Sequence, residues 1–385
     1  MFHCITAILF LYVYCRLLAP LPLGRTTKRC LFVAALLLSQ QHVFLRFYFG
    51  GLASPELPAV VLLLLSWAFI SFVLLALFTL AADLLSLLLC IARKSGMRIS
   101  RPFSPARRAG ILLLCAMALA AYGEHNALRV PEARTEEIVM DGLSPALDGL
   151  TLVHVTDLHA SALLRQARTR AIVDAVSALD ADIILLTGDL VDGTTADRAA
   201  DVAPLKDLRA RSGVFACAGN HEYYVNYADW MTAFDELGLT MLANSHRVVS
   251  VRNTPVVIAG VTDSASSRYG LPGPDINAAL AGAPKDALSI LLAHRPYSAP
   301  EHARAGVDMQ LSGHTHGGQI LGLHLIVKQV NNGFIAGWYT VDNGKKHSEG
   351  MRLYVSNGAG LWSGFPVRLG VPAEITRIVL RAAKP

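Results

Sequence analysis

The sequence predicts a helical membrane region followed by an α/β domain, and three observations predict it. The 385 residues are 53% hydrophobic with mean hydropathy +0.42, too apolar for one ordinary soluble domain and long enough for two units. Charge is split: residues 1–130 hold 12 Lys/Arg against 3 Asp/Glu, and the remainder holds 22 against 26. From about Thr135 the texture changes to short apolar runs alternating with amphipathic stretches, the pattern of strands and helices packed in layers.

The basic excess sits between apolar runs, where charge sets membrane orientation, and the second part carries no basic face for a phosphate backbone. A nucleic-acid partner is therefore not expected. Five of six cysteines (Cys4, Cys15, Cys30, Cys90, Cys115) lie in or beside the apolar runs, and only Cys217 lies beyond. That leaves neither an internal disulfide nor a Cys-x-x-Cys metal site for the second part.

Apolar segments cover roughly residues 2–18, 30–49, 58–91 and 109–122, read as four spans. The third is longer than one crossing needs and so tilts or runs along the interface. A cleaved signal peptide over the first segment is disfavoured, because no basic start and no small-x-small site accompany it. Arg25, Lys28 and Arg29 follow the first segment, and Arg93, Lys94, Arg98, Arg101, Arg107 and Arg108 precede the fourth, whereas residues 50–57 carry no basic residue. The positive-inside rule then sends everything after Tyr122 outward, and the loss of one span would invert this. Asp83 and His42 fall within membrane segments and receive no role; a carboxylate reaching interfacial water suffices for Asp83.

In the second part, residues 150–156 (LTLVHVT) read as a buried strand and 163–179 as a helix, followed by a strand at 182–187, a polar helix near 197–210 and a strand at 214–218. Later strands are expected at 248–251, 256–261, 288–293, 308–312, 351–356 and 375–380. What terminates these runs carries the chemistry. Asp157 and His159 follow LVHVT, Gly188-Asp189 follows IILLT, and Gly219-Asn220-His221 follows VFACA. His294 follows SILLA, and Gly313-His314-Thr-His316 follows MQLS. The pair His314 and His316, taken alone, also fits a glycine-rich turn with two solvated histidines. In α/β sheets, however, ligands bind beyond the carboxyl ends of strands, and five successive ends delivering eight Asp, Asn or His residues are not a chance pattern.

Asp-x-His, Gly-Asp, Gly-Asn-His-Glu, a lone His and Gly-His-Thr-His, in that order over residues 157–316, resemble the calcineurin-like metallophosphoesterases. The Gly-Gly-Gln after His316 and the aromatic-rich tail are similar to the membrane-anchored bacterial branch. The resemblance implies a four-layer α-β-β-α sandwich over residues 135–385, behind a transmembrane region of about four helices (1–123) and a linker (124–134). It also implies two divalent metal ions. Asp157, His159 and His316 would hold one, Asn220, His294 and His314 the other, and Asp189 would bridge them. Imidazole, carboxylate and amide oxygen without thiolate suit Mn, Fe, Co, Zn or Mg. His221 would be the catalytic non-ligand, acting on the leaving oxygen or the phosphate; its alternative is a strand-end histidine bonded to Glu222 or water.

His154 is read as a core histidine. Residues 321–350, with Lys328, Trp338, Tyr339, Lys345 and Lys346, are read as a long loop of the kind that covers substrate or stays disordered. Arg352, Trp362 and Arg368 are read as ordinary packing or solvated charge, and residues 357–360 (NGAG) as a turn. The expected activity is hydrolysis of a phosphodiester, phosphomonoester or pyrophosphate by metal-activated water. The expected substrate is a lipid or envelope phosphoester, and the expected location a bacterial inner membrane with the catalytic domain in the periplasm or outside. Two readings compete: a cytoplasm-facing pyrophosphatase of lipid A synthesis acting on a UDP-diacylglucosamine-type substrate, and a non-catalytic metal-binding sensor or transporter component.

Overall fold

The computed structural model describes residues 2–51, 53–95, 97, 104–344 and 350–383. Arg98 and Arg101 of the basic stretch, with Lys345 and Lys346, lie outside the described residues. The chain divides into two units: one runs to Asn126 and takes in Ser363–Val367, and the other holds Ala127–Trp362 and the chain from Arg368 onward.

The first unit is helical. Ala59–Lys94 (36 residues) and Pro105–Leu128 (24 residues) are long and apolar enough to cross a membrane. The longer one spans about 54 Å at 1.5 Å per residue, well beyond a hydrocarbon core of about 30 Å. Arg25–Ser39 and Gln41–Phe49 qualify only as a pair, bent by 48° at Gln40 in the polar run Ser39-Gln-Gln-His42. Phe2–Leu18 is apolar but shorter. Where the sequence suggested four spans, the described helices thus offer two, or three if the bent pair is one. Asp83 is not left to water: Tyr12 Oη, Arg16 Nε and Arg108 Nη2 donate to it at 2.8, 2.6 and 2.5 Å.

The second unit contains two six-stranded sheets. The strands are β1 (Ala133–Met140), β2 (Thr151–Val155), β3 (Ile183–Thr187), β4 (Val214–Cys217), β5 (Thr240–Met241), β6 (Ser245–Val251), β7 (Thr254–Gly260), β8 (Leu288–Leu292), β9 (Met309–Ser312), β10 (Gly337–Val341), β11 (Met351–Val355) and β12 (Ile375–Ala382). One sheet runs β1-β12-β2-β3-β4-β5 and the other β10-β11-β9-β8-β7-β6.

Strand alternation explains the layering. Leu152, Leu185 and Phe215 point from the first sheet at Ile258, Ile290, Leu311 and Tyr354 of the second, forming the core between the sheets. Their neighbours Val153, Ile184 and Ala216 face outward and are covered by Ile172 and Val176 of helix Gln166–Ser177 and Trp230 and Phe234 of helix Tyr227–Glu236. On the second sheet's outer face, Ala259, Leu291 and Leu353 meet Ala279, Ala299 and Ala303. The result is the expected four-layer α-β-β-α sandwich, with strands buried on both faces as their continuous apolar runs require.

The parallel pairings β2–β3–β4 and β7–β8–β9 bring the carboxyl ends of the ligand-bearing strands to one edge: Val155 opposes Leu186, Thr187 opposes Cys217, and Leu292 opposes Leu311. One expectation about the second unit is corrected. Residues 321–350 are not one long loop, because helix His324–Val330 and strand β10 lie within them. β10 pairs antiparallel with β11, presenting Trp338 to the core between the sheets. The short or edge strands β1, β5 and β10 had no clear apolar run to announce them.

Candidate metal centre

Asp157, His159, Asp189, His314 and His316 have positive φ (53°, 49°, 52°, 68° and 48°), a conformation that non-glycine residues seldom adopt. Strain of this kind persists only where surrounding contacts impose it. Here the loops press against one another. A Cβ on Gly219 would come within 2.9 Å of Asp189 Cγ, and one on Gly313 within 2.7 Å of Thr156 Cγ2 while also striking the Asp157 carboxylate. Each glycine lets its loop close onto the next functional side chain.

The eight expected residues converge. Nε2 of His294 lies 3.1 Å from Asp189 Oδ2, and Nε2 of His159 and of His221 each lie 3.8 Å from the same oxygen. His159 and His316 present Nε2 to Asp157 Oδ1 at 3.8 and 3.4 Å. Among the described residues, three sets bring one ligand atom per residue within 4.8 Å of each other: Asp157/His159/His316, His159/Asp189/His221 and Asp189/His294/His314. Asp189 belongs to two of them. Asn220 is buried, with its Oδ1 held by Arg295 Nη2 at 2.9 Å.

Whether these residues fit metal ions can be judged from the imidazoles. His159 Nδ1 meets Asp192 Oδ1 at 3.2 Å and His294 Nδ1 meets the Thr187 carbonyl at 2.7 Å, so each Nδ1 is the donor and, in the neutral ring, Nε2 carries the lone pair that a cation would take in place of a proton. Both Nε2 atoms are buried without a hydrogen bond. Donors about 2.1 Å from a common cation stand about 3.0 Å apart in an octahedron and about 3.4 Å in a tetrahedron, in the range of the shorter contacts seen here. The residues fit.

The charges are strongly coupled. Burial alone would raise Asp157 and Asp189, but the surrounding histidines hold both below the usual carboxylate range, Asp189 well below it. Burial would lower His294, yet Asp189 carries it up to about 9, and Asp192, Asp157 and Asp189 carry His159 well above its ordinary value. Burial pushes His316 down to about 3 and His314 well below its usual range, the latter helped by the charges of His294 and Arg295.

Three contributors escaped the sequence reading. Asp192 Oδ1 accepts from both His159 Nδ1 and His221 Nδ1, the latter at 2.5 Å; three residues past Asp189 in the same loop, it was the available signal. His221 is therefore bonded to Asp192, not to Glu222. Glu222 instead accepts from the backbone N–H groups of Gly219, Leu190 and Asp189 at 2.7, 2.7 and 3.1 Å, stitching two ligand loops together. Burial raises its carboxyl to about 7. Arg295 joins Asn220, His314 and Asp263.

The run at 357–360 is more than a surface turn, since Ala359 and Gly360 donate to the carbonyls of Thr156 and Asp157 at 2.8 and 2.6 Å and so back the first ligand loop. Arg368 is buried, bonding the carbonyls of Asn357, Gly358 and Gly360. His154 is a core residue, its Nε2 2.7 Å from Thr187 Oγ1.

Comparison with known proteins agrees with this layout. The family model described as "Calcineurin-like phosphoesterase" matches residues 150–318, from β2 through His316. A protein called "Transmembrane protein with metallophosphoesterase domain" from Danio rerio is 33% identical over 285 residues, covering 72% of this chain and 63% of its own. An "Uncharacterized metallophosphoesterase" of Helicobacter pylori (strain J99) is 32% identical over 286 residues, covering 72% of this chain and 73% of its own. This chain spans just under two thirds of the length of the Danio protein and of its Bos taurus counterpart. A solved 5'-nucleotidase precursor from Thermus thermophilus is similar at TM-score 0.40 and 18% identity, over 60% of this chain and 54% of that one. With apolar helices able to cross a membrane ahead of the sandwich, and a relative of which it covers nearly three quarters, this chain belongs to the calcineurin-like metallophosphoesterases.

Proposed function

We propose that the protein is a membrane-anchored phosphoesterase with a dinuclear centre. Asp157, His159 and His316 hold one divalent ion, Asn220, His294 and His314 hold the other, and Asp189 is shared. The observation that carries this reading is the convergence of three imidazole Nε2 atoms on one oxygen of Asp189, two of them buried without a hydrogen bond. When bound, such an ion pair supplies Lewis-acid charge and a more acidic water.

The chain's own residues do the rest. Asp192 fixes Nδ1–H of His221, so its Nε2 faces the reaction space; at 10% exposure His221 is more open than His159, at 0%. In its protonated form it donates Nε2–H to the departing ester oxygen, which leaves as an alcohol. Burial would lower its pKa, but Asp189 and Asp192 raise it above the ordinary histidine value, keeping that proton available near neutrality. Glu222 and the 357–360 run hold the ligand loops, restricting the site to one geometry.

Anchoring concentrates the site at a bilayer, favouring a lipid-linked or envelope phosphoester as substrate. Arg93 and Lys94 close the first long helix and Arg107 and Arg108 open the second, and by the positive-inside rule these basic ends favour a cytoplasmic connection between the two helices with the sandwich on the opposite side of the membrane. In a bacterial cell that is the periplasmic or outer side of the inner membrane. The test is turnover of phosphodiester, phosphomonoester and pyrophosphate substrates, lipids included, by the purified full chain with Mn. Metal-dependent hydrolysis that Asp189→Asn abolishes is expected. Binding of two ions with no turnover of any substrate would contradict it.

A further inference from the structure

Arg295 directly follows His294. Its Nε donates to Asp263 Oδ2 at 2.8 Å, its Nη2 to Asn220 Oδ1 at 2.9 Å, and its Nη1 meets His314 Nε2 at 2.9 Å. Asp263 is a fixed anchor: it is buried, and its Oδ1 accepts from Ala265 N at 2.7 Å. The other two partners are residues assigned above to the second cation.

These two uses of His314 exclude each other. A neutral imidazole has one ring lone pair. With Arg295 donating into Nε2, that lone pair is engaged and Nδ1 carries the proton, so neither nitrogen is free for a cation. If Nδ1 took the cation instead, Nε2 would carry a proton aimed at a guanidinium N–H. At Asn220 a divalent ion on Oδ1 would face the guanidinium charge across a single atom, with little solvent between to screen it.

We infer that Arg295 stands in for the second cation, holding His314 and Asn220 together in the metal-free protein and competing with the ion for them. The inference rests on the dinuclear reading. The fold provides room for withdrawal: a cleft of about 170 Å³ lined by Asp263, Ser264, Tyr297, Ser298 and Asn331 opens beside Arg295, whose side chain is 31% exposed. The guanidinium can turn about its bond to Asp263 without entering packed core. Beside the first ligand set, Arg368, whose charge reaches His316, bonds the backbone carbonyls of Asn357, Gly358 and Gly360 through Nη2. The two cations therefore bind unequally, and Arg295 sets the difference.

The test is calorimetric titration of Mn²⁺ into the metal-free full chain in detergent, for the wild type, Arg295→Met and Arg295→Gln. The Gln variant keeps an N–H for Asp263 should Met disturb packing, and metal-free thermal unfolding checks that both fold. In both variants the weaker site should tighten by at least about tenfold while the tighter one moves less than about threefold. A wild type that takes up one ion where the variants take up two supports the inference most strongly. Two sites with an unchanged or weakened second affinity in folded variants overturn it and leave the dinuclear reading standing. One ion in wild type and variants alike overturns the dinuclear reading, and this inference with it.

Discussion

Asp192→Ala isolates a residue that touches neither proposed ion yet orients two of the imidazoles around them. Its Oδ1 accepts from His159 Nδ1 at 3.2 Å and from His221 Nδ1 at 2.5 Å, and all three side chains are buried or nearly so. Hydrogen bonds to a charged group contribute about 1.5–3 kcal/mol each, so the pair represents roughly 3–6 kcal/mol of orientation. Metal affinity reports only the His159 share. Removing a carboxylate that orients a ligating histidine costs about 10–100-fold in metal affinity or activity, which is about 1.4–2.8 kcal/mol. The His221 share should appear as a separate loss of kcat.

Asp192→Asn should be milder, because its amide oxygen can occupy the point where both imidazoles converge. It still places an NH2 at the Oδ2 position, which is buried without a partner, so it should fall between wild type and Ala. The assay is competition for Mn²⁺ against a chelating dye, with kcat measured on the same preparations. If Asp192→Ala binds its tighter ion within twofold of wild type, the orienting role is wrong.

His221→Ala should retain both ions and lose about 10²–10⁴-fold in turnover; loss of an ion by elemental analysis would make His221 a ligand, a role its place beside His159 and Asp189 allows. Gly313→Ala forces a Cβ against Thr156 and Asp157, at an overpacking cost of about 1–3 kcal/mol, and should lower the unfolding temperature; an unchanged value would mean the loop gives way freely. Proton linkage supplies a fourth prediction. In the metal-free fold Asp189 carries His294 up to about 9 against burial, so its proton stabilises the fold fully below about pH 6.5 and that contribution fades as pH rises towards 9. A bound cation replaces that proton, so binding should release protons, and the unfolding-temperature gap between loaded and metal-free protein should widen from pH 6.5 to 8.5. A narrowing gap would contradict this.

Much of the fold was legible because buried strands write continuous apolar runs, and the ends of β2, β3, β4, β8 and β9 carry Asp, Asn and His in place of further apolar residues. Supporting groups were harder to find. Asp192 and Glu222 are ordinary acidic residues in sequence; only the folded loops turn one onto two imidazoles and the other onto three backbone N–H groups. Arg295 was hidden for a different reason, since its partners Asn220, Asp263 and His314 come from three separate loops. β10 was missed because Trp338 and Tyr339 lie between glycine-rich and polar stretches, where pairing with β11 rather than local pattern decides the conformation. In the helical unit, apolar length was plain, but the 48° bend at Gln40 depends on a short polar run that composition averages away.

Anomalous diffraction from crystals of the full chain loaded with Mn would probe the shared carboxylate most directly. Two peaks about 3.5–4 Å apart should flank Asp189, one reached by Asp157, His159 and His316 and the other by Asn220, His294 and His314. A single peak, or two that do not share Asp189, would contradict the dinuclear centre.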